Sequence, residues 1–77
     1  MMIFNSRKES GNIFFILGEV RKLMRKQRRI FEYNNMLEEV ENSDSYEEAL
    51  KVIGQHVTLI DEATGRIYGN EQFGRTV

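Results

Sequence analysis

NIFFILGEVRKLMRKQRR, residues 12–29, reads as one amphipathic helix with two unlike faces. At 100° per residue, Ile13, Ile16, Leu17, Val20, Leu23 and Met24 fall on a single stripe that a folded chain must bury. Arg21, Lys22, Arg25, Lys26, Arg28 and Arg29 cover most of the remaining surface. The stripe governs how the chain folds. The basic back face is the strongest statement the sequence makes about what the chain touches.

Upstream, Ser10-Gly11-Asn12 breaks the chain, and either Ser10 or Asn12 is placed to cap the helix by accepting a hydrogen bond from its free N–H groups. Gly18 interrupts the helix at a cost of ~1 kcal/mol relative to alanine. It is therefore expected to mark the close approach of another element. Downstream the apolar phase shifts. Gln27 takes a stripe position, and the next set, Ile30, Tyr33, Leu37 and Val40, keeps helical spacing but points elsewhere. This predicts a break near residues 27–29 and a second helix over 30–41. One continuous helix is the alternative, with Ile13, Ile16, Val20, Leu23, Ile30 and Leu37 as an imperfect heptad seam and Gln27 and Asn34 as its polar positions.

Asn42-Ser43-Asp44-Ser45 stops the second helix, and Ser45 with Glu48 forms a capping box for a third. That helix, over 46–55, places Tyr46, Ala49, Leu50 and Ile53 on one face. The character then changes. Val57 to Ile60 is β-branched and apolar, residues 61–65 are turn chemistry, and Arg66-Ile67-Tyr68 resumes a strand. A β-hairpin over 57–68 follows, with Gly65 at the position that needs positive φ. Met2 to Phe4 forms a brief strand or lies over the core. The expected architecture is a single α+β domain, mainly α, with helices over 12–27, 30–41 and 46–55 before the hairpin. Residues 1–11 are expected as an N-terminal arm, and 69–77 as a flexible tail with Phe73 as its anchor.

The 77 residues include no cysteine, so neither a disulfide nor a thiolate metal site supports the fold. Eleven basic against twelve acidic residues leave a net charge of -1. The charges are nevertheless segregated, because Glu38, Glu39, Glu41, Asp44, Glu47 and Glu48 crowd the stretch that follows the basic helix. The longest apolar run, residues 13–17, is too short to cross a membrane, and Arg7, Lys8 and Glu9 precede it without a secretory pattern. A cytoplasmic protein with no membrane partner and no cofactor is the expectation.

Gly11-Asn12-Ile13-Phe14 leading into Ile16-Leu17-Gly18, then residues 42–50, NSDSYEEAL, with Ile53 and Val57, give the chain a resemblance. It resembles a loose group of small helical proteins encoded by phages and prophages. The resemblance covers roughly residues 11–60 and implies a compact helical domain of phage origin, acting in the host cytoplasm. It carries no catalytic residues across. The chain departs from the group in lacking a glycine near Gln27 and in its hairpin and tail after Ile60.

An enzyme is hard to build from these residues. His56 is the only histidine, and Asp61 and Glu62 are adjacent, so on a strand they point to opposite faces. No further ligands at metal spacing accompany them. The leading expectation is a non-enzymatic protein-binding module that inhibits or modulates a host defence or transcription complex, a protein or nucleoprotein partner. Its candidate contacts are the basic residues Arg21, Lys22, Arg25, Lys26, Arg28 and Arg29, with Phe14 and Phe15 as apolar anchors. Core packing is the plainer reading of that aromatic pair. The alternative function is nucleic-acid binding through the basic helix, with contacts to the phosphate backbone. A third is a homo-oligomeric assembly protein with residues 13–24 as its seam. The acidic stretch 38–48 more readily solubilises its helices and offsets a helix dipole than mimics phosphates in a partner's nucleic-acid groove, and pairing with the basic face is a further option.

Overall fold

The stripe on the first helix is buried as its spacing requires. In the computed structural model, which describes residues 1–69, helix α1 spans Ile13–Lys26. Ile16, Val20 and Met24 are wholly inaccessible and Leu17 is nearly so, while Ile13 and Leu23 line the rim of the core. Asn12 is the cap, its Oδ1 accepting from the Phe14 N–H at 2.8 Å. Ser10, the other candidate, accepts from the Asn5 N–H instead. The stripe is thereby consumed within the chain's own core, while the other faces of α1 stay at the surface.

The break after α1 is sharp, and Arg28 makes it. This residue holds a left-handed φ of 59°, a conformation usually left to glycine. The Arg29 N–H donates to the Met24 carbonyl at 2.7 Å and the Arg28 N–H to the Arg25 carbonyl at 3.0 Å, a Schellman closure. One continuous helix is thereby excluded. Helix α2, Ile30–Glu41, turns back along α1 and buries Tyr33, Met36 and Val40. Helix α3, Tyr46–Gly54, starts where Ser45 Oγ accepts from the Glu48 N–H at 3.1 Å, and it buries Ala49, Leu50 and Ile53. Tyr46, expected on that buried face, lies at the surface, and its hydroxyl donates to the Gly11 carbonyl.

The hairpin forms as expected from β2, Leu59–Asp61, and β3, Arg66–Tyr68, with Gly65 at φ 77°. Residues 1–11 supply a third strand. Strand β1, Met2–Phe4, pairs in parallel with β2, so the sheet order is β1-β2-β3. A single 3-10 turn, Glu9–Gly11, leads from β1 into α1. The period-2 alternation of strands sends Phe4, Leu59 and Tyr68 inward onto α1 and α3. It also aligns Ile3, Ile60 and Ile67 as one row across the outer face. The expected tail over 69–77, Phe73 included, lies outside the described residues apart from Gly69.

Candidate functional site

Arg21, Lys22, Arg25, Lys26 and Arg28 are all exposed, whereas Arg29 is not part of a free basic face. Its guanidinium grips Glu32 through two hydrogen bonds, Nε to Oε1 at 3.0 Å and Nη2 to Oε2 at 2.8 Å. Nη2 also donates to the His56 carbonyl at 2.8 Å, and Nη1 to Gln27 Oε1 at 2.6 Å. The His56 ring completes the clasp, Nδ1 donating to Glu32 Oε2 at 2.7 Å. Arg29 and His56 together hold the Glu32 carboxyl down to about 2 by stabilising its charged form. The group joins the start of α2 to the residues that follow α3.

Among the described residues, no ion pair links the basic stretch 21–29 to the acidic stretch 38–48. Lys22 pairs with Glu19 at 3.3 Å on its own helix. Glu47 turns to β3 instead, pairing with Arg66 at 2.7 Å and accepting from the Tyr68 hydroxyl. Arg25 and Lys26 occupy the last turn of α1, where cations offset the negative end of the helix dipole. That role accounts for two of the charges and the Glu19 pair for a third, which leaves the outward reach of Arg21 and Arg28 unexplained.

The apolar side of α1 holds more surprises. Phe14 is 79% exposed and Phe15 48%, so the expectation that core packing takes both rings is overturned. Phe31 on α2, which spacing alone did not single out, is 83% exposed. Phe4 is the only one of the four described phenylalanines that is buried. The helical phase explains the outcome. Ile16, Val20 and Met24 already fill the space between α1 and its neighbours, and a ring 80° or more away from each of them has no interior left to enter.

Phe14 stands at the edge of an open groove of about 770 Å³ between α1, α2 and the entry to α3. Ile13, Leu17, Leu37 and Val40 form its apolar floor, and Glu41, Asp44 and Tyr46 form one end. Gly18 lies in the same wall. A side chain there would meet nothing within 4 Å, which overturns the expectation that Gly18 marks the approach of another part of the chain. Its missing side chain widens the groove.

His56 and Asp61, the residues on which acid–base or metal chemistry would draw, are both engaged in holding the fold. Asp61 is buried in the hairpin. Its Oδ1 accepts from the Ser6 and Ala63 N–H groups at 3.1 and 3.0 Å, and its Oδ2 accepts from the Thr64 hydroxyl at 3.2 Å. Burial pushes this carboxyl up, but hydrogen bonds from Ser6, Ala63 and Thr64 outweigh it and leave the group below its ordinary value. Among the described residues no cluster of three or more His, Asp or Glu could hold a metal ion. No helix among them is long and apolar enough to cross a membrane. The chain matches no known protein family, no curated protein and no solved structure.

Proposed function

We propose that the chain is a non-enzymatic protein-binding module whose groove between α1 and α2 seats an amphipathic helix of a protein partner. The observation that carries this reading is the exposed Phe14 beside an open apolar groove in so small a domain. Patches of this kind on small proteins mark interaction sites, and an aromatic ring at the edge of a pocket is the usual anchor. The groove also sets the partner's chemistry. Its Glu41 and Asp44 end favours a basic residue, and its Gly18 wall leaves room for a large apolar side chain. A host defence or transcription complex as the target has the phage-like resemblance as its one support, and the groove's chemistry adds nothing to it.

The test is capture by tagged protein with nuclease present, wild type beside Gly18→Leu. The leucine fills the groove without touching the core. A protein retained by wild type and lost on Gly18→Leu is the expected result. Equal retention by both would overturn the reading.

The exposed cations favour a second reading, binding to a nucleic-acid backbone. Arg29 should be left out of its test because it holds the clasp. Arg25→Ala with Arg28→Ala should weaken DNA or RNA binding across all sequences and flatten its salt dependence by roughly one to two logarithmic units per decade of salt. Absence of binding at low salt removes this reading.

A further inference from the structure

We infer that the helix seated in the groove belongs to a second copy of this chain, docked face to face about a twofold axis near Gly18. The inference rests on the protein-binding reading and names its partner. Phe14, Gly18, Arg21 and Arg25 recur at i, i+4, i+7 and i+11, so they share one stripe of α1, of which Phe14 and Gly18 line the groove and the two arginines continue beyond it. α2 runs the opposite way beside them. The Phe14 end of the stripe therefore lies with Glu41 and Asp44, and the Arg21 end with Tyr33, whose hydroxyl feels the Arg21 charge. The face is aromatic and acidic at one end and cationic at the other.

Such a face is complementary to itself in one arrangement. An isologous pair makes every contact twice, residue i of one copy against j of the other and the reverse. A twofold axis through the middle lays each acidic end on the cationic end of the second copy. Phe14 then meets Arg21 of that copy, a guanidinium over an aromatic ring, while Glu41 and Asp44 face its Arg25. A parallel arrangement would set like charges together. Gly18 stands at the crossing point, where two helices approach most closely, and it is the one position in this wall with no side chain. The row of Ile3, Ile60 and Ile67 on the sheet is itself wholly aliphatic and carries no charge to pair.

Sedimentation of the full chain at micromolar concentration tests the inference, with circular dichroism confirming that each variant folds. Wild type should sediment as a dimer and Gly18→Leu as a monomer. Arg21→Glu with Arg25→Glu makes both ends acidic, and Glu41→Lys with Asp44→Lys makes both basic. Each of these variants alone should be monomeric, and an equimolar mixture of the two should restore the dimer. Ile3→Lys with Ile67→Lys should leave the dimer intact. A monomeric wild type, a dimer indifferent to both charge reversals, or a dimer lost only in the sheet variant would overturn the inference. A monomeric wild type that still captures another protein, with capture lost on Gly18→Leu, would overturn the second copy while leaving the protein-binding reading standing.

Discussion

Arg28 and Gly54 occupy each other's natural places. Arg28 ends α1 in a left-handed conformation that costs an L-residue about 1 kcal/mol, and its side chain is exposed, so nothing in the core depends on it. Arg28→Gly should raise stability by up to about 1 kcal/mol, read as a higher urea midpoint with unchanged slope. Gly54 is different. A Cβ built there would stand 2.8 Å from Tyr68 Cβ and 2.9 Å from its carbonyl carbon and oxygen, with strand backbone that has little room to yield. Gly54→Ala should therefore cost about 2 kcal/mol despite alanine's better helix propensity, because α3 and β3 would have to separate. An unchanged or higher midpoint for Gly54→Ala would mean that α3 and β3 part at little cost. The αL arginine explains why only a break, and no residue to enforce it, was legible near Gln27. Periodicity marks where a stripe stops, but a left-handed arginine leaves no compositional trace.

At the scale of elements, the Arg29–Glu32–His56 clasp ties the start of α2 to the residues that follow α3. Glu32 has its carboxyl held down to about 2 in the folded state, against an ordinary value of 4.5 when unfolded. A depressed folded value means that the clasp contributes fully above about 4.5 and that its contribution is lost as pH falls from there toward 2. The Glu32 side chain is 41% exposed, so solvent screening limits the gain to about 1 kcal/mol. Glu32→Gln should thus lower stability by about that amount at neutral pH and converge on wild type near pH 2, in urea titrations repeated across that range. A gap that persists undiminished at the acid end would place the energy elsewhere. The helices and hairpin themselves were legible because periods of 3.6 and 2 are local properties of the chain. The clasp was not, since Arg29 looks like one more member of a basic run until α2 and α3 bring a carboxylate and a carbonyl to it.

For the molecule as a whole, closure depends on joining the first strand to the hairpin. β1 pairs in parallel with β2 across more than fifty residues, and Phe4 inserts beneath the sheet with its ring 6.4 Å from that of Tyr68. No local pattern announces a pairing of that length, which is why Met2 to Phe4 read equally well as strand or as cover. The groove was hidden for the same reason. Its walls come from three helices, and only their juxtaposition shows that Phe14 is left outside and that Gly18 faces open space. A domain of this size has about 4–11 kcal/mol of stability in total. Removing a buried phenylalanine costs about 3–5 kcal/mol. Phe4→Ala should therefore consume much of that reserve and shift the thermal transition down steeply. Ile3→Ala, one residue away on the outer face and 59% exposed, should move it little. The pair separates sheet formation from core filling. If β1 acted only through its backbone pairing, both variants would behave alike. If Phe4 closes the core between sheet and helices, the loss follows the inward residue alone, and its size relative to Ile3→Ala measures how much of the fold depends on joining the N-terminal strand to the hairpin.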